Sequence, residues 1–257
     1  MDETPFEIDR KDLIEGLGKG LRVIEAFDDD HPRLTPSEAA ASTGLSRTAA
    51  RRFLLSLVHF GYAATDGKNF WLMPRVLRLG QSYLGAARLP RLVQPFIQRI
   101  SMASGETVNF SVLDGHDVVY VARSNSPRLI SIGFPMGARL AAHLVTPGTV
   151  MLATLPDDAL DAWLENHEFT QFTAFGVQDK AQFREIVLAA RALDYWMTEQ
   201  QLELGLRGLS VAVKDRKGEC RGAIGIVLQM QTMTREQMVE RLLPLLHDAV
   251  NMLRPLI

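Results

Sequence analysis

Two short helix signals separated by a tight turn stand in the N-terminal third of the chain, and they constrain its fold more than any other feature. Thr35, Pro36 and Glu38 predict a helix start, because Thr can cap, Pro suits the first turn and Glu completes a capping box. That helix ends near Gly44, and Ser46 caps a second, longer helix. Two such helices predict a helix-turn-helix.

The second of these helices has two chemically different faces. Its apolar residues recur at helical spacing and can pack on the preceding helices, whereas basic and polar residues project from its first half. Arginine matches guanine edges and phosphates, so this face suits the major groove of DNA. An ordinary solvated surface helix remains an alternative. The candidate DNA-contacting residues are Thr35, Ser46, Arg47, Thr48, Arg51, Arg52 and, from the segment that follows, Lys68.

A β-hairpin signal follows this helix directly. Residues 62–65 and 68–72 have strand composition, and Asp66-Gly67 between them predicts a two-residue turn. Lys68 would stand at the tip, where it can reach a phosphate. A hairpin in this position predicts the wing of a winged helix-turn-helix.

Charge is distributed unevenly along the chain. Residues 44–88 carry a net charge of +6, whereas residues 1–43 hold eleven acids against five bases and the whole chain has a net charge of −2. A local basic surface in a neutral protein is typical of contact with a polyanion. A solvated face balanced by nearby acids is equally compatible with charge alone.

The sequence predicts three regions, with boundaries at 1–73, 74–89 and 90–257. The first is the winged helix-turn-helix, opened by an amphipathic helix over 12–27, and the second is a linker helix. In the third, strands arranged as hairpins with helices at their flanks predict an α+β domain around an antiparallel sheet. Its strands are expected at 107–113, 117–122, 129–134, 195–197, 208–214 and 222–229, and its helices at 91–104, 147–154, 157–166, 179–193 and 234–253.

Composition argues against a secreted or membrane protein. One cysteine, Cys220, cannot form an internal disulfide, which indicates a reducing compartment. The acidic first ten residues lack the pattern of a signal peptide. The most apolar stretch, 140–155, is too short to span a bilayer. We therefore expect a cytoplasmic location and no membrane partner.

Catalytic motifs are also missing from the sequence. It contains no Gly-x-Ser-x-Gly elbow, no P-loop and no His-Glu-x-x-His. The six histidines are scattered without metal-ligand spacing. We expect no enzyme activity, no cofactor and no metal; an enzyme, or a sensor that does not bind DNA, is the alternative class.

Four stretches together resemble the IclR family of bacterial transcription regulators. They are Gly20–Ile24, Gly44–Arg52, Gly137–Ala153 and Glu203–Ser210, and the resemblance extends over nearly the whole chain. It implies a winged helix-turn-helix, a linker helix and a GAF-like effector-binding domain. It further implies homodimers or tetramers on an inverted repeat in double-stranded promoter DNA, with RNA polymerase as a further candidate partner.

The stretch Glu203–Arg207 is most similar to the branch of the family that controls aromatic-acid catabolism, such as protocatechuate or 4-hydroxybenzoate pathways. The chain departs from the family at Gly208, where many members carry Cys or Ser. The resemblance therefore implies an effector that differs from those of better-known members.

The physical argument for an effector site starts at Thr146-Pro147, which predicts a capped helix start. Free amides of Gly148 and Thr149 would then favour the carboxylate of a small aromatic or keto acid. The alternative is a helix start with a structural role only. The candidate effector-binding residues are Phe110, Tyr120, Met136, Thr146, Gly148, Thr149, Thr198, Gly208 and Gln229.

Four further side chains near this region have open roles: Arg123, Arg139, His143 and Arg207. Arg139 and Arg207 could hold the acid or form structural ion pairs, and His143 is more typical of a hydrogen-bonded core histidine. The mechanism expected from the whole pattern is allosteric: a dimer binds an inverted repeat, and the effector alters its affinity for DNA.

Overall fold

The computed structural model describes residue 9, residues 11–126 and residues 133–257. The predicted strand at 129–134 lies mostly outside these described residues. The chain divides into two compact units, residues 1–85 and 86–257, and the division falls within the segment predicted as the linker helix.

The N-terminal unit is mainly helical, with a small hairpin. Its elements are α1 (Glu15–Glu25), α2 (Pro36–Thr43), α3 (Arg47–His59), β1 (Ala63–Thr65), β2 (Phe70–Leu72), a 3-10 turn (Pro74–Val76) and α4 (Leu77–Ala86). Apolar residues from the three helices and from the hairpin form its core: Val23, Leu34, Ala39, Ala50, Leu54 and Phe70.

The predicted caps of α2 and α3 are confirmed. The Thr35 hydroxyl accepts the Glu38 backbone N–H, and the Glu38 carboxylate accepts the Thr35 N–H at 2.7 Å. Gly44 ends α2 with a φ of +68°, which glycine adopts without strain. Ser46 then caps α3 by accepting the Ala49 N–H at 3.2 Å.

The wing differs from its prediction in its turn. The strands pair as expected, and Leu34 adds a bridge to Phe70. The predicted two-residue Asp66-Gly67 turn is wrong, because the loop has four residues and β2 begins only at Phe70. An Asx turn explains this: Asp66 Oδ1 accepts the N–H groups of Lys68 and Asn69 at 2.9 and 2.7 Å. These bonds lower the pKa of Asp66 to about 2.

The C-terminal unit is an α+β domain around a six-stranded antiparallel sheet, as predicted. The strand order is β5-β4-β3-β8-β7-β6. The strands are β3 (Val108–Asp114), β4 (Asp117–Ser124), β5 (Arg139–Ala141), β6 (Trp196–Glu199), β7 (Leu206–Lys214) and β8 (Cys220–Gln229). The helices are α5 (Arg88–Ser104), α6 (Thr146–Leu152), α7 (Asp157–Glu165), α8 (Lys180–Leu193), α9 (Arg235–Arg241) and α10 (Leu243–Leu253).

Three boundaries in this unit depart from prediction. Strand β5 was not predicted, because it has only three residues, too few to show an alternating pattern. The helix expected over 234–253 is divided at Leu242 into α9 and α10. Helix α5 begins at Arg88, so Pro90 lies in its first turn, where the missing N–H costs little, rather than at a boundary.

Each face of the sheet has its own hydrophobic core. Residues such as Phe110, Leu209 and Ile224 pack on one face together with side chains from α5 and α10. The other face carries Tyr120 and Ala223 and packs under α6, α7 and α8. Side chains alternate between these faces along each strand, so the position of a residue in its strand decides which of the two cores its side chain joins. None of the described helices combines the length and apolar character needed to cross a bilayer.

Candidate functional site

The predicted DNA-contacting side chains lie on the surface of the N-terminal unit. Arg47, Thr48, Arg51 and Arg52 of α3 are exposed, as is Lys68 in the wing loop. The same helix turns Ala50 and Leu54 into the core. Ser46 is exposed and Thr35 half-buried, and the hydroxyl of each serves as a helix cap.

The three arginines of α3 have no ion-pair partner among the residues that the structure describes. Their guanidinium groups thus keep their donors and charge available on one helix face. A cationic face of this kind is suited to guanine edges and phosphates.

Arg33 is a further cationic residue of this unit that sequence reasoning missed. Its guanidinium stacks 4.4 Å from the centroid of the Trp71 ring and lies 4.0 Å from Asp66 Oδ2 in the wing loop. Stacking on an aromatic face orients an arginine without consuming its N–H donors. No sequence signal identifies it, because Arg33 and Trp71 are separated by two helices.

In the C-terminal unit a cavity lies beside the start of α6. It has a volume of about 40 Å³ and is bordered by the segment between β6 and β7, residues 200–205, which we call the strap. Leu204 in the strap is exposed. The lining is largely apolar, with Tyr120, Phe134, Leu144, Val145, Thr146, Pro147, Thr198, Gln200, Gln201, Leu202, Glu203, Leu206, Arg207, Gly208 and Val227.

Four predicted effector residues line this cavity: Tyr120, Thr146, Thr198 and Gly208. The Thr146 and Thr198 hydroxyls hydrogen-bond each other at 2.6 Å, and both residues are buried. The Tyr120 ring stands 5.4 Å from that of Phe134, which gives the cavity an aromatic wall. Burial raises the pKa of the Tyr120 phenol, so this wall is uncharged.

The structure places three other predicted residues away from the lining of this cavity. Phe110 is fully buried on the opposite face of the sheet, beside Ile224, because strand alternation points it away from Tyr120. Met136 is 51% exposed. Gln229 is exposed at the end of β8. None of the three lines the cavity.

The structure does not show the free amides on which the predicted carboxylate seat on α6 depends. The N–H groups of Gly148 and Thr149 both donate to the Val145 carbonyl, at 3.1 and 3.4 Å, so neither is free. Thr146 is the first residue of the helix and does not cap it, since its hydroxyl bonds Thr198 instead. Gly148 is needed for packing, because a Cβ there would overlap the Ala142 carbonyl.

Two of the open arginines form ion pairs. Arg139 binds Asp114 at 2.7 Å and Asp117 at 3.1 Å, and these contacts raise the pKa of its guanidinium. Arg207 has a buried side chain that donates to Glu199 Oε1 at 2.7 Å and to the Met233 carbonyl at 2.6 Å. These contacts support the structural alternative for both residues.

Three histidines that are distant in sequence form a chain of hydrogen bonds. His167 Nδ1 lies 3.1 Å from His116 Nδ1, and His167 Nε2 lies 2.6 Å from His143 Nδ1. His143 Nε2 continues to the Thr170 carbonyl at 2.9 Å, which confirms it as a hydrogen-bonded core histidine. Burial, together with the neighbouring histidines, lowers the pKa of His167 to about 4, and burial also lowers that of His143. Within the described part of the chain, no cluster of such side chains is arranged to hold a metal ion.

An exposed cationic helix beside a wing, and a separate domain with a small apolar cavity, define a winged helix-turn-helix regulator with a ligand-binding domain. Comparison with protein families agrees: the IclR helix-turn-helix domain matches residues 16–67, and the bacterial transcriptional regulator IclR C-terminal domain matches residues 81–254. The chain belongs to the IclR family, and it is a ligand-responsive, DNA-binding transcriptional regulator.

Known relatives are similar over nearly their whole length. The p-hydroxybenzoate hydroxylase transcriptional activator of Acinetobacter baylyi is 38% identical, over 98% of this chain and 94% of the relative. A crystal structure of a putative transcriptional regulator from Rhodococcus sp. RHA1 has a TM-score of 0.79 at 38% identity, covering 93% of this chain and 96% of that one.

A third similar protein is a double mutant of the inducer-binding domain of PobR from Acinetobacter, solved in complex with 3-hydroxybenzoic acid. Its TM-score is 0.62 at 30% identity, covering 66% of this chain and all of that domain. The matched family and the relative from A. baylyi are transcriptional regulators, which is consistent with the expectation that this chain is not an enzyme.

Proposed function

We propose that this chain senses a small aromatic acid in the cavity beneath the strap and thereby controls transcription of a catabolic operon. The observation that carries the proposal is a largely apolar cavity with an aromatic wall and two buried hydroxyls, a composition typical of sites for small organic ligands. The relatives support the same class of ligand, since one activates a p-hydroxybenzoate hydroxylase gene and another binds 3-hydroxybenzoic acid.

The DNA-binding part of the proposal assigns roles on α3 and the wing. Arg47, Thr48, Arg51 and Arg52 enter the major groove, and Lys68 contacts a phosphate. Thr35 and Ser46 lie at helix N-termini, where backbone amides favour a phosphate group. Exposure of these side chains on one unit supports the assignment. Because the target is promoter DNA, we place the protein in the cytoplasm.

A homodimer on an inverted repeat completes this arrangement. Four apolar side chains at and before α1 are exposed: Leu13 by 48%, Ile14 by 75%, Leu17 by 65% and Leu21 by 43%. A second copy of the chain would cover this stripe, and two-fold protein symmetry matches a palindromic site. Analytical ultracentrifugation should therefore find dimers or tetramers, and Leu17→Glu should shift them toward smaller species.

The size of the cavity supports coupling between ligand and conformation. Its volume of about 40 Å³ is well below the roughly 150 Å³ that holds a benzene molecule in an engineered protein cavity. An aromatic acid must therefore displace a wall. The strap is the wall nearest to solvent, and its Gly205 carbonyl accepts the Met230 N–H at 2.8 Å, just before α9. Entry of a ligand would thus change the balance between conformations of the C-terminal unit.

Calorimetric titration of the full-length protein tests the ligand class. We expect 4-hydroxybenzoate or 3-hydroxybenzoate to bind, and pyruvate, as a representative keto acid, to bind much more weakly. Binding of pyruvate alone would favour the keto-acid alternative, and no heat with any of the three would contradict the proposal.

Selection of binding sites from random duplex DNA tests the DNA-binding part of the proposal. Enrichment of an inverted repeat is the expected result, whereas a lack of enrichment would favour a sensor that does not act on DNA.

A further inference from the structure

The floor of the cavity is a pair of hydroxyls from two distant elements. Thr146 begins α6, and Thr198 lies in β6 directly opposite Gly208 of β7. A Cβ at position 208 would overlap Thr146 Oγ1 and lie 3.2 Å from Thr198 Oγ1. Glycine at this position therefore provides the space in which the two hydroxyls meet.

The hydroxyl pair has unused hydrogen-bonding capacity. Each threonine hydroxyl offers one donor and two acceptor lone pairs, and their mutual 2.6 Å bond consumes one donor and one lone pair. Neither hydroxyl bonds a third group among the described residues. One O–H donor and several lone pairs thus remain in a buried position, where an unmet donor is unfavourable.

The charges around the cavity decide which ligand group suits this pair. Arg207 lies two residues before Leu209 and shares its face of the sheet, where its guanidinium is bound by Glu199 and Met233. Besides Arg207, the described lining contains one other side chain that is charged at neutral pH. This is Glu203, which is exposed in the strap. A carboxylate pressed against the threonine pair would be buried without a cation, whereas a neutral hydroxyl would complete the hydrogen bonds.

We infer that the Thr146–Thr198 pair recognises a ring hydroxyl of the effector and selects hydroxylated aromatic acids over their unsubstituted analogues. This inference rests on the proposed function and adds to it the orientation of the effector in the cavity. The ring packs against Tyr120 and Phe134, its hydroxyl meets the two threonines, and its carboxylate points away from them toward water. A site built around a substrate hydroxyl discriminates strongly against the analogue that lacks it, since its own polar groups are then left unpaired.

Calorimetry on the full-length protein, with 4-hydroxybenzoate and benzoate as probes, tests this inference. The wild type should bind 4-hydroxybenzoate about tenfold or more tightly than benzoate, the effect of roughly one buried hydrogen bond. Thr198→Val and Thr146→Val keep the side-chain shape and should reduce this ratio to about two, mainly by weakening 4-hydroxybenzoate. Thr198→Ser restores the hydroxyl and should recover most of the ratio.

Thr149→Val is the matched control, because Thr149 is a buried threonine of the same helix that does not line the cavity. It should leave the ratio unchanged, and thermal unfolding should verify that every variant folds. A wild-type ratio that persists in both Thr198→Val and Thr146→Val would overturn the inference while leaving the ligand class intact. Wild-type protein that binds neither acid would overturn the proposed aromatic ligand class, and the inference with it.

Discussion

The two units of the chain place their functional polar groups in opposite environments. In the N-terminal unit, Arg47, Arg51 and Arg52 are exposed and have no ion-pair partner among the described residues. In the C-terminal unit, Thr146 and Thr198 are buried and bonded to each other. Exposed charges give affinity that depends on salt, whereas buried neutral groups discriminate by shape and hydrogen bonding. The difference indicates that the two units recognise their ligands through different physical interactions.

The largest effects are expected for substitutions of the exposed arginines of α3. Arg51→Ala and Arg52→Ala should each weaken binding to the selected DNA site by about tenfold to hundredfold, the loss of one bidentate base contact. If either arginine contacts a phosphate, the slope of log affinity against log salt should fall by about one. Fluorescence anisotropy over a salt series measures both quantities.

Arg184→Ala serves as the control for these variants, because Arg184 is a partly exposed arginine of the C-terminal unit that pairs with Asp161. It should leave DNA binding unchanged. Wild-type affinity and salt dependence in both α3 variants would remove α3 from the DNA interface and abolish the contrast between the units.

In the C-terminal unit, the corresponding substitution is Gly208→Ala, beside the buried threonine pair. The added methyl group overlaps the Thr146 hydroxyl, so we expect about 1–3 kcal/mol lower stability and at least tenfold weaker binding of 4-hydroxybenzoate. Affinity for DNA without ligand should not change. Gly80→Ala, in α4 with open space around it, is the control and should be neutral or stabilising. Unaltered ligand binding in Gly208→Ala would show that the threonine pair is not part of the site.

The histidine chain predicts a pH dependence of the C-terminal unit. The folded-state pKa values of His167, about 4, and of His143 are lowered, so the unfolded chain takes up protons first as the pH falls. The free energy of unfolding should therefore decrease from about pH 6.5 down to about pH 4. Urea unfolding at a series of pH values should show a flatter profile for His167→Gln than for the wild type.

The matched control here is His31→Gln, an exposed histidine of the N-terminal unit, which should retain the wild-type profile. Equal slopes for His167→Gln and the wild type would contradict the buried, neutral state of the histidine chain.

The smallest effect is expected at Arg33. Arg33→Gln removes the contact with Trp71, worth about 0.5–1 kcal/mol at an exposed site, and one cation beside the wing. Affinity for the selected DNA should fall by a few-fold, with ligand binding unaffected. Arg33→Lys keeps the charge and separates the two contributions: recovery of affinity would assign the effect to charge, and no recovery would assign it to stacking. Full affinity in Arg33→Gln would remove Arg33 from the interface.

The two units also differ in how much of them could be predicted from the sequence. The caps at Thr35 and Ser46 and the exposed face of α3 depend on residues within one or two turns of each other, and all follow from local spacing. The cavity brings Thr146 next to Thr198, which is 52 residues away, and no local pattern reports that contact.

The differences between the effector site expected from the sequence and the cavity in the structure have specific physical causes. Phe110 lies on the face of the sheet opposite to that of Tyr120. A one-residue error in the phase of a strand turns every side chain of that strand to the other face, and the β3–β4 ladder shifts register beside Phe110. The amides of Gly148 and Thr149 were expected to be free, but the chain before α6 turns so that the Val145 carbonyl accepts both. The histidine chain joins His116, His143 and His167 across three separate segments, so sequence spacing could not reveal it.

The central claim, that the two units are coupled, is tested most directly by measuring DNA affinity with and without ligand. The selected duplex is titrated with full-length protein by fluorescence anisotropy, in the absence of acid and at saturating 4-hydroxybenzoate. We predict a change in Kd of at least about fivefold, with the same factor in the affinity for the acid when DNA is bound, since coupling is reciprocal. Identical Kd values under the two conditions, with the acid shown to be bound, would contradict the account.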